Sequence, residues 1–285
     1  MRPLMERHDF FSVRYPEDEI TRVNGFAVPP APKIRPFHAF KSWLRLLRNK
    51  EDTRQVFEII FSLSGRSGEK VFTRFSGSEF GRRVLSEPVK IEERFADREW
   101  LRSMPEGSVG RAYLGFMERE GLTPEGVIDA AAEAGTDFEC ETQFEGYRRM
   151  SLHMEVIHDL WHVLTGYGRD ALGELCVLAF SDAQNNNPGL RFIVSMGASA
   201  AKLDAMNAPI SKAVREARQR GKQSTWLLGE DLFEMLPRQL DEVRSAYNIG
   251  MPTYYDAVPA EVKQNLLKPK QQQIQGERDQ TAIAA

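Results

Sequence analysis

The residues best suited to chemistry lie in one short stretch, where two histidines occur four positions apart. His158 and His162 are predicted to lie one turn apart on the same face of a helix. Asp159 follows His158 directly, about 100° further round the helix, near enough to supply an oxygen ligand or to hydrogen-bond one. Two imidazoles and a carboxylate are donor types that bind divalent transition metals.

A second carboxylate reaches the same place if the chain turns back. The sequence Thr-Gly-Tyr-Gly at residues 165–168 predicts the end of the first helix, because glycine adopts the left-handed conformation that closes a helix. A second, antiparallel helix is expected over residues 170–183. Glu174 then lies about as far beyond the turn as His162 lies before it. The predicted metal ligands and catalytic residues of this helical hairpin are His158, Asp159, His162 and Glu174.

Two interpretations of this cluster remain open, a metal site and a structural hydrogen-bond network. The intervening acid and the returning carboxylate favour the metal site, which is similar to the His-Glu-x-x-His helix of zinc proteases with Asp159 in place of the glutamate. The donors suit zinc, and also ferrous iron, manganese or cobalt. His153 is offset by five positions from His158 and is expected off the metal face.

The elements that position these residues are predicted to be helices. Apolar residues recur at helical spacing, and period-two alternation is scarce. We therefore predict an all-α fold. Further predicted helices cover residues 51–63, 107–120, 123–135 and, interrupted at Pro237, 230–247.

The chain divides into three parts by composition. Residues 1–33 form a predicted arm that ends in the proline-rich run 28–32, which regular helix does not accommodate. Residues 34–250 form a single predicted helical domain. Residues 251–285 form a predicted irregular, partly disordered tail, whose glutamine-rich end carries too little apolar surface to offset the entropy of ordering.

The overall composition excludes several classes of protein. The 285 residues carry a net charge of −3, which argues against a general nucleic-acid binder. No apolar run approaches the ~20 residues of a membrane span. The first twenty residues contain five acids and no apolar core, unlike a secretory signal or a transit peptide. These features predict a cytoplasmic protein.

Two further helices bear on lipids and membranes. Residues 193–201 are rich in glycine and alanine, which either permits close helix packing or leaves a tunnel for an apolar chain. Residues 35–50 carry basic side chains and no acid, with Phe37, Phe40, Trp43, Leu44 and Leu47 at helical spacing. This pattern is typical of an interfacial membrane anchor, and equally of a core helix with a solvated basic face.

The spacing His158-Asp159-x-x-His162, followed after eleven residues by Glu174, resembles the signature of the ubiquinone-biosynthesis protein family Coq4. The similarity covers roughly residues 40–250. Outside the metal motif, the similar positions are Gly81-Arg82, Leu85, Leu101, Pro105, Gly107, Ser108, Gly110, Tyr113, Leu236-Pro237, Leu240 and Val243-Arg244.

This resemblance implies a late step in formation of the quinone ring. The step is metal-dependent oxidative decarboxylation and hydroxylation of a polyprenylated benzoquinone-ring precursor, with zinc as the implied metal. The implied partners are a prenyl lipid held in a groove between helices, other ubiquinone-biosynthesis enzymes, a membrane surface and a second copy of the chain. The implied setting is the cytoplasm of a bacterium, at the periphery of the inner membrane.

Two other functions remain open at this stage. One is a non-catalytic prenyl-lipid-binding scaffold that organises the biosynthesis complex around a structural metal. An open coordination position favours the enzyme, and a closed site favours the scaffold. The other is a metal-dependent phosphohydrolase, which needs further spaced histidines and aspartates that His8 and His38 do not obviously supply.

Overall fold

The computed structural model describes residues 11–49, 52–86, 91–133 and 136–267. Helices make up most of this part of the chain, which confirms the all-α prediction. The helices are α1 Pro36–Arg48, α2 Thr53–Ser64, α3 Ser67–Gly77, α4 Glu79–Ser86, α5 Ile91–Ala96, α6 Arg98–Ser103, α7 Val109–Glu120, α8 Pro124–Glu133, α9 Glu145–Val156, α10 His158–Thr165, α11 Ala171–Asn185, α12 Pro188–Asp204, α13 Ile210–Gln223, α14 Leu232–Met235, α15 Leu240–Ala246, α16 Thr253–Asp256 and α17 Ala260–Asn265.

A small β-hairpin lies within the predicted arm. Strands β1 Thr21–Val23 and β2 Phe26–Val28 pair antiparallel. Asn24 and Gly25 connect them, both with positive φ, the conformation that a tight two-residue hairpin turn requires. Phe26 packs edge-on against Phe72 of α3, with ring centroids 6.2 Å apart, so this part of the arm is attached to the helical domain.

The centre of the core is formed by α10 and α11. Seven of the eight residues of α10 are buried, among them the polar Asp159, His162 and Thr165. Helix α11 packs against both α12 and α13. A Cβ atom at Gly197 of α12 would lie only 2.5 Å from Leu175 Cδ2 of α11. The small residues of α12 therefore serve close helix packing at this position, the first of the two interpretations above.

The tail prediction needs correction over residues 253–265. This segment was expected to be irregular, and it contains α16 and α17. Tyr255, Val258 and Leu266 are buried against the domain, and burial of these apolar side chains offsets the entropy of ordering the segment. The rest of the tail prediction, on residues 268–285, lies outside the described residues, as do residues 1–10 of the arm.

Helix α1 is apolar on two faces. Trp43 points inward and is buried, although its spacing predicted that it shares one face with Phe37, Phe40, Leu44 and Leu47. The outer face carries Phe37, 91% exposed, with Phe40, Leu44 and Leu47; we refer to these four residues as the exposed stripe. Among the described residues, no helix is both long enough and apolar enough to cross a bilayer.

Candidate metal centre

The two histidines of the motif lie on α10, which follows α9 after the single residue Ile157. Gly166, with φ of +78°, closes α10 in the left-handed conformation, as the sequence predicted. His162 Nδ1 donates a hydrogen bond to the carbonyl oxygen of Tyr167, 3.1 Å away. The bond fixes the proton on Nδ1 and leaves the Nε2 lone pair for another partner.

The turn to α11 is held by side chains from two directions. Asp170 caps α11 by accepting hydrogen bonds from the backbone N–H groups of Leu172 and Gly173, both at 3.1 Å. The Tyr255 hydroxyl donates to Asp170 Oδ2 and accepts from Gly168 N at 3.0 Å. A Cβ atom at Gly173 would overlap the carbonyl of Gly168. Glycine therefore lets α11 return close to the turn.

The returning helix brings Glu174 against both histidines. Glu174 Oε2 lies 3.5 Å from His158 Nε2 and 3.5 Å from His162 Nε2, and donor atoms of the three residues all lie within 4.8 Å of one another. Donors bound to one tetrahedral zinc at ~2.1 Å lie roughly 3.4 Å apart. His162 Nε2 is buried and has no hydrogen-bond partner among the described residues. The geometry therefore fits a divalent metal ion. We call α10, residues 166–170 and α11 the metal hairpin.

Asp159, the fourth predicted ligand, is buried beside this group and is not one of the three converging residues. Burial raises the pKa of its carboxyl group, an effect that the nearby His158, His162 and Arg169 partly oppose. Its place in the coordination sphere stays a prediction. From this position the Asp159 carboxylate could act as a fourth ligand or as a hydrogen-bond acceptor for one of the metal-binding side chains.

Electrostatics favour an ionised carboxylate in the hairpin. Burial alone would raise the pKa of Glu174, but the facing imidazoles of His158 and His162 outweigh it, and the pKa lies well below the usual range. For His158, burial lowers the pKa, and the facing Glu174 outweighs it, so the pKa is raised. Arg169 Nε lies 3.8 Å from Glu174 Oε1 and adds a cation at the rim of the site.

His153 lies away from the triad, as its spacing predicted. Its ring stacks on Phe75 with centroids 5.5 Å apart and meets Phe80 edge-on at 5.7 Å. Burial lowers its pKa to about 3, so it is neutral across the physiological range.

Glu155 is a residue that the sequence analysis missed. It is half buried in α9, and burial raises the pKa of its carboxyl group to about 7, with His158 opposing this shift and Asp159 adding to it. Its spacing of three residues before His158 could have revealed it, since residues three apart share a helix face. The break between α9 and α10 at Ile157 was not foreseeable from that spacing.

Glu155 also lines a cavity of about 180 Å³, which we call the apolar cavity. Its walls come from the proline-rich run, α2, α3, α9 and the start of α12. The cavity is therefore not the tunnel for an apolar chain that was one of the two interpretations of the small residues 193–201. Its lining residues are Phe11, Pro29, Pro30, Ala31, Pro32, Phe57, Ile60, Phe61, Ser64, Gly65, Gly68, Glu69, Val71, Thr136, Phe138, Tyr147, Met150, Ser151, Met154, Glu155, Asn185, Asn187 and Leu190.

The fold and the site together define an all-helical protein with a candidate divalent-metal centre on a helical hairpin. Residues 47–253 match the model of the family described as coenzyme Q (ubiquinone) biosynthesis protein Coq4. The chain belongs to this family.

Named relatives agree with this assignment. The chain is 28% identical over 200 residues to the mitochondrial ubiquinone biosynthesis protein coq4 of Talaromyces stipitatus, covering 69% of this chain and 65% of that protein. It is 29% identical over 175 residues to the mitochondrial COQ4 protein of Ajellomyces dermatitidis, covering 60% of this chain and 57% of that protein. The chain thus spans less than two thirds of the length of these relatives.

A solved structure supports the fold. A chain from Nostoc punctiforme, provisionally named a ubiquinone biosynthesis protein, superposes with a TM-score of 0.54. The match covers 76% of this chain and all of that chain, at 16% sequence identity.

The relatives contradict one prediction. A cytoplasmic, bacterial location was expected from the acidic first twenty residues, whereas the relatives are named mitochondrial. The prediction was wrong because the amino-acid composition of the first twenty residues does not determine the compartment in which members of a family function.

Proposed function

We propose that the chain acts in ubiquinone biosynthesis as a metal-dependent enzyme on the ring of a polyprenylated, ring-carboxylated precursor. The observation that carries this proposal is the convergence of His158, His162 and Glu174; Glu155, three residues before His158, lines the apolar cavity. In the proposed reaction the ring carboxylate leaves as CO₂ and the same carbon gains a hydroxyl group. This change is a two-electron oxidation of the ring, and we propose dioxygen as the oxidant: with one water it supplies the hydroxyl group and takes up the two electrons, leaving as hydrogen peroxide.

The proposed ligands are His158, His162 and Glu174, with Asp159 as a fourth ligand. A divalent ion held there supplies Lewis-acid chemistry to a bound phenolate or carboxylate. Zinc is the metal that the family resemblance implies. Iron, manganese and cobalt accept the same donors, and direct activation of oxygen requires one of these redox-active metals, since zinc has no redox chemistry.

The protein groups around the ion have separate tasks in this proposal. Tyr167 O holds the Nδ1 proton of His162, which directs Nε2 to the ion. Arg169, 3.8 Å from Glu174 and partly exposed, can pair with the carboxylate of the substrate. Glu155 lines the apolar cavity three residues before His158, and in this proposal it meets the phenol group of a ligand in the cavity.

The apolar cavity supports the proposed prenyl-lipid ligand. Most of its lining side chains are apolar, and Met150 and Met154 offer flexible thioethers that adapt to an irregular chain. The alternative function, a non-catalytic lipid-binding scaffold for the biosynthesis complex, is supported by this cavity alone and does not need an open metal site. Contacts with other biosynthesis enzymes and a homodimer stay predictions.

The exposed stripe of α1 supports peripheral attachment to a membrane. Four large apolar side chains, led by Phe37, face solvent, and the exposed basic residues Lys41, Arg45 and Arg48 flank them. An amphipathic helix of this kind lies in the interface, with its apolar face among the acyl chains and its cations near anionic headgroups.

A quinone-lipid profile by mass spectrometry tests the function. A strain lacking its own family member would be complemented with wild type, Glu174→Ala or the control variant His153→Phe. We expect ubiquinone from wild type and His153→Phe, and accumulation of the ring-carboxylated precursor with Glu174→Ala. Equal restoration by all three would make the metal dispensable and favour the scaffold. Failure of folded wild type to restore ubiquinone would contradict the proposed pathway.

A further inference from the structure

The apolar cavity reaches the surface at a defined place. Of its lining residues, Pro30 and Ala31 in the proline-rich run are the exposed ones. Gly65, at the end of α2, lies in the same wall. Residues deeper in the lining, such as Met150 and Phe138, are buried. The mouth of the cavity therefore lies between the proline-rich run and the end of α2.

This mouth adjoins the start of α1. A Cβ atom at Gly65 would lie 3.3 Å from Ile34 Cδ1, so the two residues are in contact. Arg35 N donates a hydrogen bond to the carbonyl oxygen of Ser62 at 2.8 Å, and the Arg35 guanidinium lies 5.9 Å from the centroid of the Phe61 ring. Ile34 is itself 65% exposed and lies three residues before Phe37, the first residue of the exposed stripe.

Another part of the lining comes from the end of α9, the helix that precedes α10. Glu155 is part of the lining, and its carboxyl group interacts electrostatically with His158 and Asp159. The exposed stripe, the mouth at Gly65 and the cavity thus follow one another from solvent inward, and the cavity lining includes Glu155, three residues before the first histidine of the candidate metal centre.

We infer that the cavity loads its lipid directly from a bilayer on which α1 is docked, through the mouth between Ala31 and Gly65. The occupant of the exposed stripe is an anionic membrane surface, because the polar side chains flanking the stripe are basic and residues 35–50 contain no acid. A long apolar tail then passes from acyl chains to Ile34 and into the cavity without crossing water, which avoids exposing its apolar surface. This inference rests on the proposed membrane attachment and on the proposed lipid ligand.

Transfer kinetics test the route. A pyrene-labelled alkylphenol in phosphatidylcholine vesicles containing a minor share of phosphatidylglycerol is mixed with the full chain, and arrival in the cavity is followed by fluorescence. For wild type we expect a rate that rises with vesicle concentration, as collision requires. A rate independent of vesicle concentration would show transfer through water and overturn the inference.

Two kinds of variant separate docking from entry. Phe37→Glu with Phe40→Glu should lose vesicle co-sedimentation and slow the transfer by on the order of tenfold or more. Ser64→Trp, in the wall beside Gly65, should bind vesicles like wild type and still load slowly. Leu203→Glu is the control, because Leu203 is 77% exposed on α12, outside the stripe, and it should behave as wild type in both measurements.

The outcomes distinguish this inference from the proposed function. Wild-type loading in Ser64→Trp would place the mouth elsewhere and overturn the route, with docking and ligand intact. If Ser64→Trp does not fold, Ala31→Trp, at an exposed position of the same mouth, gives the same test. Absence of wild-type binding to vesicles, or of ligand binding from detergent solution, would instead contradict the proposed membrane attachment or the proposed ligand.

Discussion

Two buried histidine environments lie close together in the chain and differ in their polar partners. His153 and His162 are each 1% exposed, and each ring stacks on a phenylalanine, Phe75 at 5.5 Å and Phe116 at 5.6 Å. Only His162 faces a carboxylate, that of Glu174 at 3.5 Å. Burial alone therefore gives a neutral packing residue, whereas a carboxylate returned by a helical turn gives a candidate metal ligand.

The largest expected effect comes from removing that carboxylate. Glu174→Gln keeps the size of the side chain and removes its charge, so we expect metal affinity to fall by more than the ~10–100-fold typical of losing an outer hydrogen-bond partner. Metal content after dialysis, measured by plasma mass spectrometry, checks this. His153→Phe should keep its metal, and stoichiometric metal in Glu174→Gln would remove this residue from the coordination sphere.

The second prediction concerns pH and the packing histidine. The pKa of His153 is about 3 in the folded protein against 6.5 in its unperturbed state. The unfolded chain therefore binds a proton here that the folded chain does not, and the stability present above pH 6.5 is lost as the pH falls towards 3. One such group gives a slope of up to about 1.4 kcal/mol per pH unit.

Urea denaturation of metal-free protein between about pH 6 and pH 4 measures this slope. His153→Phe should flatten it relative to wild type, because phenylalanine does not titrate. Equal slopes in the two proteins would contradict the assignment of an apolar, neutral site. The lowered pKa of Glu174 also causes a loss of stability as the pH falls. This loss is the same in wild type and in His153→Phe, so it cancels when the two slopes are compared.

A smaller effect is expected from the turn that aligns the hairpin. Tyr255→Phe removes the hydroxyl that joins Asp170 to Gly168 N, which should loosen the turn and weaken metal binding by roughly tenfold. Tyr254→Phe is the matched control, since its ring contacts Lys212 instead. Isothermal titration with zinc would compare the variants, and identical affinities would show that α10 and α11 are aligned without this contact.

Much of the metal hairpin was predictable because its signals are local. The i, i+4 histidines, the glycine that ends α10 and the position of Glu174 follow from helical geometry, and the structure brings the three donors together. The all-α class followed from apolar periodicity for the same reason.

Long-range packing was less predictable. The burial of Tyr255 against the turn depends on a contact between residues far apart in sequence, so the segment after Gly250 read as irregular. Trp43 was expected to share one face of α1 with four apolar residues that are exposed, whereas Trp43 is buried, because periodicity does not show where around the helix the covered surface begins. The apolar cavity joins segments far apart in sequence, from the proline-rich run to the start of α12, and had no sequence signal.

Anomalous diffraction from crystals of the metal-loaded protein tests the central claim most directly. We predict one strong peak bounded by His158 Nε2, His162 Nε2 and a Glu174 carboxylate oxygen, at roughly 2.0–2.2 Å from each, and the same map will show whether Asp159 is a fourth ligand. A fully loaded protein with its peak elsewhere, or with no peak between these residues, would contradict the assignment of the hairpin as the metal centre.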